Sequence, residues 1–316
     1  MNRKICAAAA LLVIQGIPHA IAEEQFFEVN DTVRIGGGVG YAFINSDEIV
    51  YDANGDRISH LLWESQAPMV SGKVEADFAN GWTLRAGGSF AFAGSSHMQD
   101  NDWFGPYFVS YDFNDWTHRS EHPNTRLQHY FSGDIAVGKD LPLGSAATLN
   151  LHAGLKYTDV KWSAYGGTYT YSVTGYRADT GSFLNGSPGI TFQQRYPGVF
   201  LGASFAAHEG PWTLSGQARG GVSIKATDTD HHWMRDLRFE ETYGAIPFVS
   251  AAARVDYAVN DQASLFLGGD YEQYFHAVGD TTVYSIASGA QGPTYTKGAG
   301  MTLKAISVSG GFRMKF

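Results

Sequence analysis

Two short segments bring together side chains able to activate water. One is His97-Met98-Gln99-Asp100-Asn101-Asp102-Trp103, the other Asp228-Thr229-Asp230-His231-His232. In extended chain, residues i and i+2 share a face. Asp100 and Asp102 then form a pair, and Asp228, Asp230 and His232 a column. A carboxylate beside an imidazole holds its tautomer and favours its charged form, so the imidazole can take a proton from water. Two further carboxylates close together cannot both ionise freely, and one can hold a proton. Hydrolysis is one chemistry that such a set supports. A cation site and ordinary solvated acidic loops are the others, and spacing alone does not separate the three. His231 projects from the opposite face of its strand and is read as a non-catalytic neighbour.

The elements that must position these side chains alternate with period two. From Ile306 to the terminal Phe316, Ile306, Val308, Phe312 and Met314 face one way, and Ser307, Ser309, Arg313 and Lys315 the other. Soluble strands usually stop near ~six residues, and this one does not. The same alternation marks ten strands, roughly 30–50, 58–79, 82–95, 125–138, 146–172, 190–208, 212–228, 245–259, 263–286 and 300–316. Short turns at 79–81, 138–146, 208–211 and 260–262 lie between longer polar excursions at 45–57, 95–125, 173–189, 225–244 and 287–299. An even strand count with short turns on one side and long loops on the other describes an outer-membrane barrel. The expected fold is all-β: a ten-stranded antiparallel transmembrane β-barrel with long extracellular loops and short periplasmic turns, spanning 23–316 as one unit. Trp82, Trp212, Tyr257 and Phe316 sit beside the short turns, where an aromatic girdle belongs. The strands 58–79 and 146–172 run to about twice the ~9–11 residues that span a bilayer, so the excess must stand in water as a barrel mouth. Ten strands leave too narrow a lumen for a general porin. Function is therefore expected at the mouth, with Arg85, Lys73, Glu75, Arg219, Arg254, Asp256 and Glu272 pairing to fill the interior.

Composition agrees. The 316 residues are 44% hydrophobic, 14% aromatic and only 17% charged, which excludes a disordered chain. The formal charge of −9 makes nucleic acid an improbable partner. Residues 1–22 carry a basic start (Arg3, Lys4), an apolar run and a small-x-small Ala20-Ile21-Ala22, the pattern of a secretory signal peptide. The single cysteine, Cys6, lies within that leader, so the mature chain has neither a disulfide nor a cysteine nucleophile.

The segment Met98-Gln99-Asp100-Asn101-Asp102-Trp103 resembles the aspartate-pair motif of the omptins, outer-membrane proteases of Gram-negative bacteria. Asp228-Thr229-Asp230-His231-His232 resembles their D-x-D-x-H motif, and the two occupy the second and fourth loops as in that family. Further matches are Trp116-Thr117 with His122-Pro123, Gly166-Gly167-Thr168-Tyr169, Gly181-Ser182-Phe183 with Asn185-Gly186, and Gln194-Arg195. The resemblance implies an endopeptidase of the bacterial outer membrane, its site facing outside, that cleaves polypeptides beside basic residues. It implies that Asp230 and His232 activate water and that Asp100 and Asp102 oppose them as further catalytic residues. It implies Glu48 and Asp228 as the substrate-binding acids that receive the basic side chain, and no metal or cofactor. It also implies lipopolysaccharide as an activating lipid, bound by Tyr157, Asp159, Lys161 and Arg195. Lys161 stands where the family pattern has an arginine and lacks the bidentate fork suited to phosphate, which implies weaker binding. His118 stands where some members carry an acid, so the preference after the cut is expected to differ. His97, Trp103 and His122 read as mouth scaffold. The competing reading is a non-catalytic adhesin or invasion barrel of the same fold.

Overall fold

The computed structural model describes residues 29–316; the expected leader and its cleavage point lie outside the described residues. Fifteen strands form one antiparallel sheet. They are β1 (Val29–Tyr51), β2 (Arg57–Phe78), β3 (Trp82–Ala91), β4 (Ser95–Asp102), β5 (His118–Leu143), β6 (Ala147–Tyr165), β7 (Thr168–Tyr171), β8 (Asp179–Ser182), β9 (Pro188–Glu209), β10 (Trp212–Ile224), β11 (Thr227–His232), β12 (Leu237–Thr242), β13 (Ala245–Ala258), β14 (Ala263–Ser285) and β15 (Gln291–Lys315). β3 runs on into β4, β10 into β11, and β12 into β13, while β7 and β8 form a small hairpin beside β5. The rest is a ring of about ten staves. The last stave closes on the first through pairs such as Phe43↔Ile306 and Ile35↔Met314. Closure leaves the staves of the belt without a free edge, which the interior of a bilayer demands, and among the described residues only the short β8 of the mouth hairpin ends the sheet.

The lower part of the ring has the alternation that its sequence dictates. Ile35, Val39, Phe43, Leu151, Leu201, Leu265 and Val308 are exposed on the outer wall and form an apolar belt. Trp82, Trp212, Tyr257 and Phe316 stand exposed beside the short turns, with Trp212 and Tyr257 in contact at 4.8 Å between ring centroids. Inside the belt the charges neutralise one another. Lys73 Nζ lies 2.8 Å from Glu75, Lys156 Nζ 2.6 Å from Glu272, Arg219 3.0 Å from Asp134 and Arg313 3.2 Å from Asp256. Arg85 also reaches Glu75, and Arg254 lies over the Phe266 ring. All of these groups except Asp256 line a lumen cavity of about 680 Å³. Above it the interior becomes dry. Trp63, Trp162 and Phe192 stack on one another, with centroids 5.7–6.4 Å apart. Tyr196 and Tyr274 stack at 4.1 Å. This aromatic layer, with Ile44, Leu61, Met98 and Met301, is the hydrophobic core and the floor of the mouth.

The excursions expected as loops are largely strand. β4 and the first turn-proximal part of β5 occupy much of 95–125, β11 and β12 occupy most of 225–244, and β15 begins at Gln291. The acidic segments therefore sit on ladder-bonded strands that rise above the belt, a more rigid support than solvated loops.

Candidate active site

Continuing the belt's alternation upward would put the acidic segments on the outer wall. In β3 the even residues Phe90 and its lead-in to Phe92 face outward, and in β10 the even residues Leu214 and Ile224 do so. Asp100, Asp102, Asp228, Asp230 and His232 are even as well. The structure turns them inward by inserting one residue into each stave. Against β2 the register passes from Met69↔Ala91 to Gln66↔Ser95, so Phe92, Ala93 and Gly94 oppose only two residues. Against β9 it passes from Ser223↔Gly198 to Thr227↔Arg195, with Ile224, Lys225 and Ala226 opposing two. Each insertion is a bulge, and one extra residue exchanges the two faces. Positive φ angles at Ala93 (58°), Gly94 (77°) and Lys225 (56°) mark the kinks. A Cβ at Gly94 would lie 2.1 Å from the Gln66 carbonyl oxygen, so the residue type there is dictated by space as well as by φ. The junction of β12 and β13 exchanges faces too: the even residues Ile246, Phe248 and Asp256 are buried in β13, but the odd residues Glu241 and Tyr243 are buried above it.

The result is a mouth with two catalytic-type pairs. His232 Nε2 lies 2.5 Å from Asp230 Oδ2. Burial opposes charge on this imidazole, but the Asp230 carboxylate outweighs it and raises the His232 pKa above its ordinary value. Asp100 and Asp102 come from β4, several staves round the ring from β11, and the charges of His232 and Asp100 act on each other across the opening. Ser59 Oγ donates to Asp100 Oδ1 at 3.2 Å. Burial raises the pKa of Asp100, and burial plus the neighbouring Asp100 charge raise that of Asp102 well above the carboxylate range. The pair thus favours holding a proton. Tyr171, on the β7–β8 hairpin, is held neutral by burial and by the same two acids.

Beside this site lies a second acidic group. Glu48, Asp228, Asp230 and Glu241 are 2%, 1%, 1% and 4% exposed. Trp63 Nε1 donates to Glu48 Oε2 at 3.2 Å. Burial, with Asp230, Glu241 and Asp228 as like charges, pushes the Glu48 carboxyl well up, and burial with Glu241 does the same to Asp228. Among the described residues no lysine or arginine forms an ion pair with Glu48, Asp228 or Glu241. A dry acidic recess without a cation can receive one. The predicted residues Glu48 and Asp228 are brought together here. Glu241 and Tyr243 were not among the predicted residues: they lie in the polar excursion 225–244, where the face exchange between β12 and β13 breaks the period-two signal.

The four residues matched to a lipid site lie on the outer wall above the belt. Tyr157 Oη donates to Asp159 Oδ2 at 3.4 Å, and Arg195 Nε lies 3.9 Å from the same oxygen. His129 and Gln193, which the sequence reading did not single out, hold Asp159 Oδ1 at 3.0 and 2.9 Å. Lys161 pairs in register with His129 and Gln193 but forms no ion pair among the described residues. His231 stacks on Trp233 at 5.1 Å, away from the site. His122 stacks on Phe183 and contacts Ser120, and Trp103 is buried under Arg57, both as scaffold. His118 sits between the rings of Phe104 and Tyr171.

Comparison with known proteins agrees with this architecture. A family model described as the Omptin family matches residues 29–316. The chain is 26% identical to the plasminogen activator of Yersinia pestis over 320 aligned positions, covering 100% of both. It is 25% identical to Protease 7 of Escherichia coli strain K12, covering 80% of this chain and 81% of that one. The crystal structure of the outer membrane protease OmpT from Escherichia coli superposes with a TM-score of 0.84 at 23% identity, covering 92% and 99% of the two chains.

Proposed function

The chain belongs to the Omptin family and is an outer-membrane β-barrel, and from that premise we propose that it is an endopeptidase that cleaves polypeptides next to basic residues at the outer face of the membrane. The observation that carries the proposal is the 2.5 Å Asp230–His232 couple, with the Asp100 charge acting on it from β4 across a mouth closed from below. Neutral His232 takes a proton from a water molecule as that water attacks the peptide carbonyl. Asp230 orients the imidazole and stabilises its charged form. Asp100 and Asp102 hold the water and offer their shared proton to the developing oxyanion. His232 then returns its proton to the departing amine. No side chain becomes acylated in this scheme. The basic side chain before the cut enters the recess of Glu48 and Asp228, where buried carboxylates replace its lost hydration. Asp159 braces Arg195 beside Tyr157 and Lys161 on the wall, a cationic surface suited to lipopolysaccharide phosphates.

The test is hydrolysis of a fluorogenic Arg-containing peptide by the refolded barrel with and without lipopolysaccharide. Activity that depends on the lipid is expected. Asp230→Ala and His232→Ala are each expected to lower the rate by roughly 10²–10⁴ in barrels that remain folded, and serine- and cysteine-directed reagents to have no effect. Full activity in either variant would remove the couple from the mechanism.

A further inference from the structure

The recess that accepts the basic side chain contains one more acid than the resemblance supplies, and its hydrogen bonding requires one more proton than its heavy atoms reveal. Tyr243 Oη lies 2.8 Å from Asp228 Oδ2 and 2.8 Å from Glu241 Oε2. A phenol has one hydrogen and can donate to only one of these oxygens. The other contact is as short. Between a phenol lone pair and an ionised carboxylate it would be repulsive, so that carboxyl carries a hydrogen and donates to Tyr243. Asp228 also keeps Oδ1 buried with no hydrogen-bond partner among the described residues, as does Asp230. Both are about 1% exposed, and an orphaned buried carboxylate oxygen is an expensive arrangement unless a ligand answers it.

We infer that Glu241 is a third acid of the cation recess and that, with Asp228 and the bridging Tyr243, it holds a proton which the substrate's basic side chain displaces into solvent. The inference rests on the pocket reading above and deepens it. The groups facing the pair are Glu48 from β1, Asp230 from β11, Thr281 from β14 and the phenols of Tyr243 and Tyr196. All of them are acidic or neutral. With the recess empty, like charge and burial both favour the protonated pair. An entering guanidinium reverses that balance and ionises the pair. Cation affinity then rises with pH until the empty pair ionises on its own. A neutral side chain gains nothing by the exchange, so the device discriminates against it.

The experiment is calorimetric titration of agmatine, a guanidinium monocation, into the folded, lipopolysaccharide-loaded barrel. Buffers of different ionisation enthalpy are compared across the mildly acidic to neutral range. About one proton released per agmatine bound is expected, equivalent to affinity rising about tenfold per pH unit. Glu241→Gln is expected to reduce the release by about one proton while agmatine still binds, its folding checked by unheated electrophoretic migration. Binding without proton release throughout the range, which needs no variant to observe, overturns the inference and leaves the Glu48–Asp228 pocket standing. An unchanged proton count in folded Glu241→Gln overturns it equally. Failure of agmatine to bind the wild-type barrel at all overturns the pocket, and this inference with it.

Discussion

At the scale of single residues, the site is governed by who holds protons. In the proposed mechanism His232 must be neutral to accept one from water, yet Asp230 at 2.5 Å raises its pKa above the ordinary imidazole value. The base is therefore populated only above that raised value, and activity is lost as pH falls through it. The acid limb of kcat/KM is expected to lie above the ~6.5 of an unperturbed imidazole, and Asp230→Asn to move it down while lowering the maximum. An acid limb unmoved by Asp230→Asn would assign it to another group. The raised pKa has the opposite consequence for folding: stability contributed by the charged pair is present below the unfolded imidazole pKa and is lost as pH rises through the folded one. The recess makes a separate prediction. Leaving a desolvated substrate cation short of one counter-charge costs on the order of 2–5 kcal/mol. Glu48→Ala should thus lower kcat/KM for Arg peptides far more than for peptides neutral at that position. Equal losses on both would place Glu48 outside the pocket.

At the scale of elements, two bulges decide which side of the wall the candidate catalytic groups occupy. Below Ala93–Gly94 the even residues of β3 face lipid; above it the even residues of β4 face the mouth. Inserting one alanine between Gly94 and Ser95 keeps the bulge and the belt's pairing but moves every later residue of β4 by one ladder position. β4 then presents Asn101 inward and Asp100 and Asp102 outward. The variant is expected to assemble in the outer membrane and to lose activity about as fully as an Asp100→Ala, Asp102→Ala double variant. Retention of most of the wild-type rate would show that the register of β4 does not aim the pair. His129 and Gln193 illustrate the same dependence on pairing. They meet Asp159 only because β5 and β9 flank β6 in a particular register, and nothing in their own segments announces it.

At the scale of the whole molecule, the ring separates two environments. Its lower half offers lipid an apolar belt and fills its lumen with ion pairs; its upper half is floored by the Trp63–Trp162–Phe192 stack and stands in water. The floor isolates the mouth from the lumen cavity, none of whose lining residues belongs to the candidate catalytic set. Because every backbone edge is closed in the ring, opening it requires many ladder bonds to break together. The unheated protein is accordingly expected to stay folded in mild detergent electrophoresis and to migrate differently after boiling. Identical migration, with a helical or disordered circular dichroism spectrum before heating, would be incompatible with the barrel.

Period-two alternation, the short turns and the terminal Phe316 were enough to specify a ten-stave barrel, because side-chain alternation is a local property that each strand carries by itself. The segments holding Asp100, Asp102, Asp228, Asp230 and His232 were legible for the same reason, as i and i+2 neighbours. Their direction was not. Followed up from Phe90 or Ile224, the alternation points those side chains at the outer wall, and only the unequal count of residues between paired strands turns them inward. That count is a relation between two strands and appears in neither one's sequence. Glu241 lay beyond the sequence reading for a related cause. Its significance comes from sharing Tyr243 with Asp228 across adjacent staves, a coincidence of three side chains that exists once the ring has closed.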